Sequence, residues 1–149
     1  MLYSRTKISE KRQTFKKKER LHKKKEINFL FDKPNLLIIP SFKLIWKKTN
    51  IDASIPLKIM IIVPKKNIKK AVKRNLIKRR IKEAYRKNKY LIIDYLSSYH
   101  LNCVAAFIYN DNNILKYQEI ENKIILLLQR LKKEFEQDTN NLHCCKTEK

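Results

Sequence analysis

Apolar residues recur along this chain in two rhythms. Between residues 19 and 31, Leu21, Ile27, Leu30 and Phe31 approximate a helical stripe, and Pro34 ends it because the residue before a proline is pushed out of the α region. The period then shortens to two. Phe42, Leu44 and Trp46 alternate with Lys43, Ile45 and Lys47, which predicts a strand with one drier face, and Pro40, unable to donate to a ladder, marks an edge, bulge or bend. After a polar, turn-like stretch at 49–56, residues 57–63 are β-branched and almost wholly apolar, as in a buried central strand, and Pro64 closes it. Residues 69–88 predict a helix, 90–99 a short helical turn, 102–109 a further core strand, and Asp111, Asn112 and Asn113 supply turn chemistry. A last helix over 116–137 carries Ile120, Ile124, Leu127, Leu128, Leu131 and Phe135 on one face. This order of elements predicts an α+β fold, a small α/β sandwich with one sheet packed against helices.

A chain of 149 residues supports one core of moderate size. We expect a basic flexible arm over 1–18, a single domain over 19–137 and a loose tail over 138–149. No repeat or Pro/Ser-rich linker divides it.

Charge narrows the function. Lys and Arg number 36 against 14 Asp and Glu, a formal net charge of +22, so the natural neighbour is a polyanion, with nucleic acid ahead of an anionic membrane. No run of about 18 apolar residues is present and the first residues hold no apolar signal core, so neither a membrane span nor secretion is expected. Of the three cysteines, Cys103 stands in an apolar run and Cys144 and Cys145 are adjacent. That is neither a disulfide framework nor a zinc signature, and a reducing cytoplasm is the expected location. The chain contains no glycine and is rich in Lys, Ile and Asn, so part of the charge reflects A/T-rich codon usage.

Codon usage does not sort charges by angle, however, and the segment "KKAVKRNLIKRRIKEAYRKNK" at 69–89 is sorted. At about 100° per residue, Ile77, Ile81, Ala84 and Tyr85 share an arc of about 100°, while Arg74, Asn75, Lys78, Arg79, Lys82 and Arg86 fill the adjoining arc of about 140°. One face packs inward; its neighbour presents donors. Like-charge neighbours three and four residues apart disfavour the isolated helix by about 1 to 2 kcal/mol in sum, a cost that a polyanion removes. Arginine forks and lysine point charges follow a phosphate backbone and read little base sequence.

The order "RNLIKR" at 74–79, preceded by "VPKKNIKKAV", resembles the signature of the bacterial ribonuclease P protein subunit, in which a strand ending in paired lysines leads into an Arg-Asn-Arg-x-Lys-Arg helix. "RLHKKKEINFLF" is similar to that family's first helix, "SFKLIW" to its aromatic strand, and "CVAAFIY" with the Ile/Leu-rich helix to its closing strand and helix. Leu76 stands where the family usually has its second Arg, and the family's glycines around the strand-to-helix turn are missing.

The resemblance implies a ribosomal protein S5 domain 2-like fold with a left-handed crossover. It also implies a role as protein subunit of an endoribonuclease that removes the 5′ leader from precursor tRNA. Partners would be the catalytic RNA subunit and precursor tRNA, with no obligatory protein partner. The RNA would carry the catalysis, with Mg2+ held by that RNA and no cofactor or metal bound by the protein alone.

Within that picture Arg74, Asn75, Lys78, Arg79, Lys82, Arg86, Lys65 and Lys66 are the expected RNA contacts. A cleft between the first helix and the sheet would take the single-stranded leader, with Lys24, Lys25, Ile27, Phe31 and Trp46 as candidates. Single strands are held by a positive groove with surfaces on which bases stack, and Phe31 and Trp46 are the expected platforms unless both simply pack in the core. No catalytic residue is expected from the protein, since His22, His100 and His143 are scattered and no Ser or Cys has a base nearby in sequence. The main rival reading is a non-catalytic ribosomal or RNA-assembly protein using the same basic helix. A DNA-binding regulator is weaker, since no base-reading helix or dimer signal is evident.

Overall fold

The computed structural model describes residues 15–49 and 55–147, with side chains as far as residue 138. Four strands form one sheet: β1 (Asn35–Ile39), β2 (Phe42–Lys48), β3 (Leu57–Ile62) and β4 (Cys103–Tyr109), in the spatial order β1-β2-β4-β3. The α-helices among these residues are α1 (Lys24–Phe31), α2 (Ala71–Asn88), α3 (Tyr90–Ser98) and α4 (Tyr117–Thr147). β2 runs antiparallel to both β1 and β4, whereas β3 and β4 are parallel and joined through α2 and α3.

Pro40 sits in a tight hairpin turn between β1 and β2. It presets the first turn position, and Ser41 takes the left-handed one at φ 73°, its hydroxyl donating to Asp111 at 2.6 Å. With no glycine available, Lys33 (φ 52°) and His100 (φ 53°) fill the other left-handed positions among the described residues. The β3-to-α2 connection uses none; Asn67 and Ile68 both donate backbone N–H to the Pro64 carbonyl, at 3.2 Å each.

Strand alternation divides the residues between two faces. Phe42, Leu44 and Trp46, Leu57 and Ile59, and Cys103, Ala105, Phe107 and Tyr109 point to the face covered by α2, α3 and α4. There they meet Ile77, Ile81, Ala84 and Tyr85 of α2, Ile92 and Leu96 of α3, and the predicted apolar face of α4, all fully buried. Among the described residues the opposite face carries α1, whose Leu30 packs with Leu21, Ile45, Val104 and Ala106 in a smaller cluster.

Three expected boundaries move. The first helix begins at Lys24 rather than 19, because Leu21 donates its N–H to the Ile59 carbonyl at 2.8 Å and residues 20–21 lie extended along the outer edge of β3. The folded unit begins inside the expected arm, where the Phe15 ring meets Tyr85 edge-on at 5.5 Å; just after the arm, Glu19 pairs with Lys89 at 2.7 Å. The last helix continues past residue 137 to Thr147, a stretch with no proline or glycine to stop it. The rest of the expected arm, residues 1–14, and the turn at 50–54 lie outside the described residues.

Candidate nucleic-acid interface

α2 is built as its sequence implies. Its apolar arc is sealed against the sheet and α4, while Asn75, Arg79 and Lys82 are exposed and Arg74, Lys78 and Arg86 are partly so. No carboxylate among the described residues forms an ion pair with Lys78, Arg79 or Lys82. Arg74 folds back to donate to the carbonyls of Ile68 (3.0 Å) and Lys69 (2.7 Å), so it shapes the entry to the helix as well as adding charge.

Arg86 departs from the expected arrangement. Its guanidinium is forked onto Glu83 at 2.5 and 3.0 Å, and that hydrogen bond holds the Glu83 carboxyl below its usual range. The net positive charge of the arc is therefore carried by Arg74, Lys78, Arg79 and Lys82. Leu76 falls about 200° from Arg74 on the wheel, on the Glu83 side and outside the basic arc. Arg80, on the flank toward α4, donates to the Leu115 carbonyl at 2.6 Å and serves packing.

The second surface is the sheet face under α1. Register places its residues in three rows across the strands: Lys58–Val104–Lys47, then Met60–Ala106–Ile45–Leu36, then Ile62–Ile108–Lys43–Ile38. The first row lies beneath α1, where Lys58 is buried against Glu26 and Lys47 donates to the carbonyls of Phe29 and Asp32. Exposure rises away from it: Met60, Ile62, Ile108 and Lys43 are partly open, and Leu36 and Ile38 are 52% and 58% exposed. The result is a mainly apolar trough with Lys43 in its floor and α1 as one wall. Lys65 and Lys66, both exposed, lie just beyond Ile62 in the loop leading to α2, so cations line the route from trough to basic helix.

Of the residues expected at the cleft, Lys24, Ile27 and Phe31 share one flank of α1, with Lys25 about 100° away. Lys24, Lys25 and Phe31 are exposed, and Ile27 is partly buried against the sheet. Trp46 is not there. It points to the other face of the sheet, 3% exposed, with its ring 4.9 Å from that of Phe135, because it shares strand parity with Phe42 and Leu44. It is a core residue and cannot be a stacking platform. The floor residues Lys43, Met60, Ile62 and Ile108 were missed by sequence reasoning; the signal was present in the same alternation, on the face opposite Trp46.

Among the described residues no cluster of three or more His, Cys, Asp or Glu is placed to hold a metal, and no helix is long and apolar enough to cross a membrane. Burial pushes the Cys103 thiol up to about 12, which marks a packing residue and not a nucleophile.

A family model for ribonuclease P matches residues 15–132. The ribonuclease P protein component of Petrotoga mobilis is 36% identical over 124 residues, covering 80% of this chain and 96% of the relative. That of Porphyromonas gingivalis is 29% identical over 105 residues, covering 70% and 77%. In fold, the chain is similar to the RNase P protein from Thermotoga maritima (TM-score 0.60, 23% identity, covering 75% of this chain and 96% of that one). It is likewise similar to the Staphylococcus aureus RNase P protein (TM-score 0.62, 22% identity, 76% and 95%). These relatives favour this assignment over a ribosomal or assembly protein. The chain belongs to the ribonuclease P protein component family, and its function lies in tRNA processing.

Proposed function

We propose that the protein works through two surfaces: the basic arc of α2 binds the catalytic RNA, and the trough beneath α1 receives the single-stranded 5′ leader of precursor tRNA. The observation that carries this reading is the sorting of α2, where Lys78, Arg79 and Lys82 stand outward and form no ion pair with a described carboxylate while the adjoining arc is buried. Such a face suits contact with phosphates and is indifferent to base identity. The trough offers flat aliphatic surface in Met60, Ile62 and Ile108, a ring in Phe31, and cations in Lys43, Lys24, Lys65 and Lys66 at its floor and margins. That combination suits unpaired bases followed by their phosphates.

In this scheme the protein positions substrate and neutralises charge, and hydrolysis of the phosphodiester is carried by the RNA in the cytoplasm. Mg2+, which keeps several waters and favours a few anionic oxygens, would be held chiefly by phosphates. The test is reconstitution. Purified chain added to catalytic RNA at low magnesium should restore 5′ processing of precursor tRNA, and the complex should bind leader-bearing tRNA more tightly than mature tRNA. Restoration without any preference for the leader would remove the trough from the scheme.

A further inference from the structure

α1 has eight residues, too few for a helix to persist alone in water. Its place over the sheet is set from outside, at two points on opposite sides of β4. Near its C-terminal end, Lys47 of β2 donates to the carbonyls of Phe29 (3.2 Å) and Asp32 (2.7 Å) and holds its ammonium 4.1 Å from the Phe29 ring centroid. Near its N-terminal end, Lys58 of β3 meets Glu26 at 2.8 Å, and both residues are buried, at 7% and 4% exposure.

The second tether is poorly suited to stability alone. A buried ion pair is commonly no more stabilising than an apolar pair of similar volume. The other carboxylate oxygen, Glu26 Oε2, is buried with no hydrogen-bond partner among the described groups, and Glu26 borders a cavity of about 10 Å³ shared with Thr49, Ile55, Lys58, Cys103 and Val104. What the pair does supply is direction. An N–H···O contact fixes a distance and an angle between α1 and β3, whereas apolar packing allows the helix to slide and tilt.

We propose that the Glu26–Lys58 pair is a positioning device: it sets the height and tilt of α1 over the sheet, and so the gap between the Ile27–Phe31 flank and the trough floor. This inference rests on the reading of the trough as the leader site. Glu26 acts through its neighbours on α1 and contacts no RNA itself.

The experiment compares reconstituted complexes by the ratio of their affinities for leader-bearing and mature tRNA. The double variant Glu26→Leu/Lys58→Met removes both charges at similar volume. It should melt at or above the wild-type temperature and bind catalytic RNA with an unchanged salt dependence. Its leader preference should nevertheless fall on the order of tenfold, comparable to one stacked base.

Lys24→Ala/Lys43→Ala, at the trough itself, is measured in parallel. If that variant loses leader preference and the Glu26/Lys58 variant keeps it, the positioning role is overturned while the trough stands. If neither loses it, the trough reading fails and takes the inference with it. Should the double variant not fold, Glu26→Asp decides: it keeps both charges but draws the partners together by one methylene, so it should lower the ratio, and an unchanged ratio overturns the proposal.

Discussion

Replacing Lys78, Arg79 and Lys82 together by alanine should move binding and stability in opposite directions. These three are outward cations of the basic arc of α2 that form no ion pair with a described carboxylate, so each is free to neutralise a phosphate. Arg74 is left in place because its loss would also free the carbonyls of Ile68 and Lys69 and disturb the entry to the helix. With about 0.9 unit of log–log salt slope per neutralised phosphate, loss of three contacts flattens the slope by about 2 to 3 units. The variant's affinity deficit for catalytic RNA should therefore be large at low salt and shrink about 40-fold across a fourfold rise in ionic strength. In the free protein the same change relieves the like-charge neighbours Arg74/Lys78, Lys78/Lys82, Arg79/Lys82 and Lys82/Arg86, a few tenths of a kcal/mol each, and installs a better helix former. Stability should rise by about 1 to 2 kcal/mol, seen as a few degrees in Tm. Filter binding over a salt series and a thermal melt of the free protein measure the two effects. An unchanged slope would mean that this arc does not face phosphate.

Trp46 and Phe31 should respond to substitution in opposite ways. Trp46→Leu should destabilise the fold by about 2 to 4 kcal/mol in a denaturant titration and leave leader preference intact, while Phe31→Ala, at a site 48% exposed, should do the reverse. Cys103 sets an alkaline limit: its thiol rises from 9.0 to about 12 on burial, so the folded state holds a proton the unfolded chain releases. That contribution is complete below pH 9 and is lost at up to about 1.4 kcal/mol per pH unit as pH rises toward 12. A Cys103→Ala variant melted across that range should show a shallower decline, and an equal decline would assign it elsewhere. His100→Gly, which relieves a left-handed φ of 53°, should raise stability by about 0.5 to 1 kcal/mol, net of the added chain entropy, in an equilibrium melt.

The basic helix was legible in the sequence because helical angle is a local property: Ile77, Ile81, Ala84 and Tyr85 are buried as their spacing demands. The apolar face of α4 was legible for the same reason. What the sequence concealed depends on which partner each segment meets. Nothing local tells Trp46 that the helix-covered face lies on its side of β2, or tells residues 20–21 that β3 offers a free edge for the Leu21 N–H to reach. The Arg86–Glu83 pair was within reach, since the two residues are three apart on one helix. The Glu26–Lys58 pair joins positions 32 residues apart and needed the fold to reveal it.

Because a single sheet serves as wall to the core on one side and as trough floor on the other, its four strands carry two messages interleaved residue by residue. In β1, β3 and β4 the odd-numbered positions belong to the interior and the even-numbered to the trough; in β2 the assignment is reversed. A saturation mutagenesis library of these strands should accordingly show fitness defects that change in kind at every step, with losses restored by cooler growth at one parity and persisting at the other along the open rows. A one-residue insertion in any strand would exchange the two alphabets, corrupting both at once.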